Sequence, residues 1–121
     1  MTAFDFSNQL LVGNNFNGQN LNGSTFFKAS LDGVQFAGTQ LRSTNFEEAF
    51  LINVNASNAI FAPNTSFPNH TTFYKATLQN VNLSRANLRR ANLSLINTAG
   101  INLSNANLTD AILREANLSG E

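Results

Sequence analysis

Apolar residues recur every fifth position along almost the whole chain. Phe6, Leu11, Phe16, Leu21, Phe26, Leu31, Phe36, Leu41, Phe46, Leu51, Ala56 and Phe61 stand five apart. After a break the count resumes at Phe73, Leu78, Leu83, Leu88, Leu93, Thr98, Leu103, Leu108, Leu113 and Leu118. Of these 22 central positions, 20 are Phe or Leu, so one rule governs the chain. A period of five suits neither standard element. Five residues of α-helix turn through about 500°, which scatters apolar side chains around the axis. On a strand an odd period sends them alternately to opposite faces. A chain that buries every fifth side chain must turn once per repeat, and a closed path of such turns is a solenoid with the central residues inside.

The residues around the centres agree with this. All seven Gly (Gly13, Gly18, Gly23, Gly33, Gly38, Gly100, Gly120) lie two after a centre, as do Asn8, Asn53, Asn58, Asn80 and Asn105. Gly and Asn accept the positive φ that a type II turn requires. Elsewhere this place holds Lys, Arg, Ser, Glu or Asp, which predicts a different turn there. Two before the centre stand small or branched residues such as Ala29, Val34, Ala49, Val54, Ala86 and Ile101, a second and tighter inward position. Gln9, Asn14 and Gln19 occupy it in the first repeats, so the first coil should pack less well. Thr98 is polar at a central position and should bond a backbone carbonyl.

The run Ala86-Asn87-Leu88-Arg89-Arg90-Ala91-Asn92-Leu93-Ser94, with Ala106-Asn107-Leu108 and Ala116-Asn117-Leu118, resembles the A(D/N)LXX signature of the pentapeptide-repeat family. The resemblance extends over nearly the whole chain. It implies an all-β, right-handed quadrilateral β-helix with four repeats and 20 residues per coil, hence about 5–6 coils here. It also implies a cytoplasmic protein, often cyanobacterial, and no settled function. Residues 20 apart would then stack about 4.8 Å apart. Phe6, Phe26 and Phe46 would share one side, and Leu11, Leu31 and Leu51 the next. Leu88 and Leu108 belong to the same kind of core. Lys28 with Glu48, and Arg90 with Asp110, would meet at corners as opposite charges, each pair worth about 0–1 kcal/mol when exposed.

The chain reads as one domain over residues 1–121, with regular repeats in 4–62, an irregular segment in 63–72 and regular repeats in 73–120. Phe61 and Phe73 are twelve apart, and Pro63 falls where a positive φ is wanted. In one reading Phe67 is central and the spacing is six, twice. In the other, residues 62–72 bulge as a loop and Phe67 covers its base. The first is preferred because it keeps the core continuous.

Composition narrows the function. Seven basic and seven acidic residues cancel, which argues against a basic nucleic-acid stripe and against an acidic imitation of a phosphate backbone. The absence of Cys excludes disulfides and a zinc site built on sulfur. No apolar run approaches a membrane span, and the start MTAFDFSNQLL does not resemble a secretory signal. His70 stands alone in the irregular segment and reads as a solvated loop residue. Glu47 and Glu48 are adjacent and should point apart. Arg85, Arg89, Arg90 and Lys75 cluster in sequence and read as ordinary surface. No catalytic residue, metal site or cofactor is expected.

One feature points to binding. The residues flanking a centre face outward. Leu10 and Val12 flank Leu11, while Phe50 and Ile52 flank Leu51, two coils away on the same side. Counting Phe67 as central adds Tyr74, and with Leu113 also Ile112, to that side. Such a gathering reads as a surface for a protein partner, interrupted by Ser30 and Asp32. The expected function is therefore a non-catalytic scaffold or adaptor. A gyrase-binding DNA mimic, as among quinolone-resistance members of the family, is disfavoured by zero net charge and short length. Solenoid ends without caps would also permit a homodimer.

Overall fold

The computed structural model describes residues 3–118. Strands β1 (Leu10–Val12), β2 (Ser30–Asp32), β3 (Phe50–Ile52), β4 (Thr77–Gln79) and β5 (Asn97–Ala99) form one parallel sheet in chain order. Leu11 pairs with Leu31, Leu31 with Leu51, Leu51 with Leu78 and Leu78 with Thr98. Three further ladders of parallel bridges run beside it. They are Asp5–Thr25–Asn45–Thr72–Asn92–Ile112, Asn15–Gln35–Asn55–Asn82–Asn102 and Asn20–Gln40–Ile60–Asn87–Asn107. Four ladders define four sides. We number them in chain order: the first side begins at Asp5, the second is the β1–β5 sheet, the third begins at Asn15 and the fourth at Asn20. The fold is thus an all-strand β-solenoid, with no helix among the described residues. The β1–β5 sheet spans slightly fewer turns than the length suggested, while the six-membered first-side ladder from Asp5 to Ile112 spans five. Four complete turns separate β1 from β5, with partial coils beyond each.

The centres fill the interior in columns. On the first side Phe6, Phe26, Phe46 and Phe73 stack with ring centroids 5.0, 4.8 and 4.9 Å apart. Phe26, Phe46, Phe73 and Leu88 are fully buried, while Phe6 and Leu108 near the two ends are half-buried. Coil three carries Ala56 on the third side and moves its second large ring to Phe61 on the fourth. Phe61 packs edge-on against Phe73 at 5.3 Å. One side's loss of volume is the next side's gain, as a close-packed interior demands. Gln9, Asn14 and Gln19 are exposed. The Thr98 hydroxyl donates to the Asn117 carbonyl at 2.8 Å.

Outside the core, the abundant Asn have a local task. Asn45, Asn55, Asn82, Asn87, Asn92, Asn102 and Asn107 each accept, through Oδ1, the N–H two residues ahead. Such Asx turns satisfy a donor at the entrance to each corner.

The corners correct one expectation. Every described corner except the one after Phe61 holds one residue with φ between 54° and 77°, including Lys28, Ser43, Glu48, Lys75, Arg85, Arg90, Asp110 and Glu115. The non-Gly, non-Asn corners therefore do not use a different backbone. They are held by ladder bonds such as Lys28 N–H to the Glu47 carbonyl at 3.0 Å, which over-determine an unfavourable conformation. The real difference lies between sides. On the other sides corners such as the one after Phe26 close with an i→i+3 bond, here Ala29 N–H to the Phe26 carbonyl at 2.9 Å. On the second side no such bond closes the corners after Leu11, Leu31, Leu51 or Leu78 among the described residues. There the positive-φ residues are Gly13, Gly33, Asn53, Asn80 and Gly100 without exception. Such corners favour a residue that enters this region cheaply; among the described residues the corners at Ser43 and Leu95 on other sides lack the bond as well, and at Ser43 the Thr44 N–H goes to the Thr71 hydroxyl instead. Gly120 lies outside the described residues.

Leu95 also adopts a positive φ, of 58°. A Leu there carries a cost of about 1–2 kcal/mol that Asn largely avoids. Leu95→Asn should therefore raise stability by about 1 kcal/mol, read as a higher urea midpoint at unchanged slope. A lowered midpoint would contradict it.

The break resolves as a loop, against the preferred reading. Ile60 bridges Gln40 and Asn87 on the fourth side, whereas Thr72 bridges Asn45 and Asn92 on the first side of the next coil. A single corner therefore separates Phe61 from Phe73, and seven residues beyond the usual repeat are looped out. Phe67 is not central. It is half-buried, and a Cβ built on Gly23 would stand 3.2 Å from its Cε1. The ring packs over a corner that has no side chain. A core Phe at this place would have required an added side in one coil, which all four ladders forbid. Neither expected ion pair closes to 4.0 Å among the described residues, and Lys28 Nζ lies 5.3 Å over the Phe27 ring instead.

Candidate interaction surface

The outward side chains of the second side form two columns. Leu10, Ser30, Phe50, Thr77 and Asn97 stand in one; Val12, Asp32, Ile52, Gln79 and Ala99 in the other. Leu10 is 70% exposed, Val12 65% and Phe50 49%, while Ile52 is half-buried. The pleat forces this: with Leu11, Leu31 and Leu51 buried, both neighbours in each three-residue strand point to solvent. The backbone beneath is paired coil to coil, so the surface is stiff and flat. Beside Val12 and Asp32 the corner residues are Gly13 and Gly33, which add no side chain to the rim.

Tyr74 does not belong to this surface, and neither do Ile112 and Leu113. The loop shifts the count, so Phe73 stacks under Phe46 on the first side and carries Tyr74 with it. Ile112 bridges Asn92 on that same first side. Tyr74, Leu95, Ala111, Ile112 and Leu113 line a separate shallow groove there, with Ser94 and Arg114. The large apolar side chains facing outward on the second side are thus limited to Leu10, Val12, Phe50 and Ile52.

The other candidates are dispersed by the same geometry. Lys75, Arg85 and Arg90 occupy three different corners of one coil, because five residues in sequence advance the chain by one side. They form no basic patch. His70 is exposed in the loop. Glu48 turns outward at a corner, while Glu47 Oε2 receives the Thr72 hydroxyl at 3.5 Å. Among the described residues no group of three His, Asp or Glu side chains could hold a metal ion.

Several residues hold the loop in place, among them Arg89, which reads from sequence as ordinary surface. Arg42 Nη1 donates to the Ala62 carbonyl at 2.8 Å, and Arg89 Nη2 to the Pro63 carbonyl at 3.3 Å. The Ser43 hydroxyl donates to the Asn69 carbonyl at 2.7 Å. Buried Thr71 shares its hydroxyl proton between the Leu41 and Phe61 carbonyls at 2.9 and 2.8 Å. Asn64 and Phe67 close a small turn, N–H to carbonyl at 2.9 Å and N–H to Oδ1 at 2.7 Å. The available signal was the column. Arg42 and Arg89 occupy the same outward place in coils on either side of the break.

A model of the pentapeptide-repeat family matches residues 35–62, 69–97 and 86–120 with eight copies. Among solved structures, the chain is similar to a pentapeptide-repeat protein of the Arabidopsis thaliana thylakoid lumen. The two are 30% identical, over 91% of this chain and 72% of that one, with a TM-score of 0.81. It shares its fold with Rfr23 of the cyanobacterium Cyanothece at 20% identity, over 90% of this chain and 87% of that one, with a TM-score of 0.69. It is also similar to HetL, a protein of the cyanobacterium Nostoc sp. involved in heterocyst differentiation regulation. That likeness is 27% identity and a TM-score of 0.59, over 89% of this chain and 52% of HetL. No curated protein matches the sequence.

Proposed function

The chain belongs to the pentapeptide-repeat family, and on that footing we propose that it is a non-catalytic scaffold that binds a protein partner through its second side. The observation that carries the proposal is the exposure of Leu10, Val12 and Phe50 on a fully paired, flat sheet. Large apolar side chains held out from a rigid surface gain by being covered. Residue chemistry supports binding over catalysis, since His70, the acids and the basic residues are spread over different corners and the loop. The role of HetL in regulating differentiation is an analogy for a scaffold of this kind. We further propose a cytoplasmic location, which fractionation of cells expressing the tagged chain would test against the thylakoid-lumen location of the Arabidopsis relative.

Phe50→Asp with Ile52→Asp is expected to leave the far-UV spectrum and melting point nearly unchanged, because neither side chain fills the interior. It should abolish capture of the partner from native host lysate. Undiminished capture by the double variant would remove the second side as the interaction surface.

A further inference from the structure

The surface has a spacing as well as an apolar character. Leu10/Val12 and Phe50/Ile52 are two strands apart, which is about 9.6 Å at sheet spacing. Between them stand Ser30 and Asp32. Asp32 is exposed, and its carboxylate accepts no hydrogen bond from the described residues. The pattern along the solenoid axis is therefore apolar, acidic, apolar.

Resting on the reading above, we propose that the occupant of this face is an amphipathic α-helix lying nearly along the solenoid axis. It presents two apolar residues seven apart with an Arg or Lys between them. One apolar residue seats between Leu10 and Val12, the other between Phe50 and Ile52, and the cation meets Asp32. Seven helical residues rise about 10.5 Å, which a tilt of about 25° projects onto the 9.6 Å repeat. An extended strand does not match, since its same-face side chains recur at about 6.7 Å and 13 Å. A polyproline helix repeats at about 9.3 Å and matches in length. It is too narrow to touch both columns, which stand about 7 Å apart across each strand. A helix about 10 Å across covers both. The rim at Gly13 and Gly33, bare of side chains, leaves room for its flank beside Asp32.

The probe is a labelled helical peptide of Ala and Gln carrying two Leu seven residues apart and an Arg four after the first. Saturable binding to the full chain is expected. Phe50→Asp and Asp32→Lys should each weaken it about tenfold. A peptide with Glu in place of its Arg should regain affinity for the Asp32→Lys protein alone. Absence of saturable binding at millimolar peptide, or equal binding by a peptide with its Leu five apart, would overturn the proposal. So would tighter binding by a proline-rich peptide. A photo-crosslinking residue in place of Val12, used in host extract, separates the two readings. A crosslink to an extended segment would refute the helix while leaving the interaction face standing. No crosslink together with no peptide binding would refute both.

Discussion

Phe46→Ala is expected to cost about 3–5 kcal/mol, a large share of the stability of a domain this size. Phe46 is fully buried at the middle of the longest aromatic column. Its ring stacks on Phe26 at 4.8 Å and on Phe73 at 4.9 Å, nearly parallel to both. It also meets Phe36 and Phe61 edge-on at 6.1 and 6.2 Å. Removing it opens a hole that the coils above and below cannot close. Their spacing is set by ladder hydrogen bonds such as Phe46 N–H to the Thr72 carbonyl at 2.7 Å. The half-buried Phe6 at the end of the same column is the internal control, and its truncation should cost well under half as much. Urea unfolding of both variants reads the difference. Equal costs would mean that the column is not a continuous packed element.

Thr71→Val should cost about 2–4 kcal/mol although it preserves the shape of the side chain. The Thr71 hydroxyl is fully buried. It serves the Leu41 and Phe61 carbonyls and accepts the Thr44 N–H at 3.2 Å. At an ordinary repeat these groups would be managed by the corner itself. Here the loop interrupts the corner after Phe61, the corner after Leu41 lacks its own N–H to carbonyl bond, and one side-chain oxygen serves both. Valine would leave buried backbone groups without partners, which is the expensive way to lose a hydrogen bond. Thr71→Ser keeps the oxygen and should recover most of the loss. If Ser and Val were equally damaging, packing of the methyl group rather than hydrogen bonding would be what Thr71 supplies.

Both predictions concern features of different legibility. The inward place of Phe46 could be read from spacing alone, because a strict five-residue period requires a turn per repeat to bury its Phe and Leu; its stacking with Phe6 and Phe26 followed from the family resemblance, and Phe73 joined the column only in the structure. The inward Ala and Val positions followed from the same spacing, and so did the turn at every fifth residue. Corner chemistry was only half legible. Lys28, Glu48 and Arg90 looked like evidence for a second turn type, but ladder bonds impose on them the backbone that Gly adopts freely. The true second type, on the second side, was marked in sequence by Gly or Asn at every repeat. It could be recognised only once the sides were assigned.

The five-residue period and its flanking residues by themselves determined the solenoid and its inward positions, since local spacing acts within each repeat; four sides and 20-residue stacking came with the family resemblance. The tertiary structure decided what depends on register across the break. The spacing of twelve from Phe61 to Phe73 fits two arrangements locally, and only the parallel ladders of all four sides select the loop. That selection sent Tyr74 to the first side and left Leu10, Val12, Phe50 and Ile52 alone on the second. It also brought Arg42 and Arg89, forty-seven positions apart, to the two edges of one loop. The physical reason is that repeat identity is local whereas side identity is cumulative: an insertion that adds a side rotates everything after it, one that is looped out rotates nothing, and only contacts between coils distinguish them.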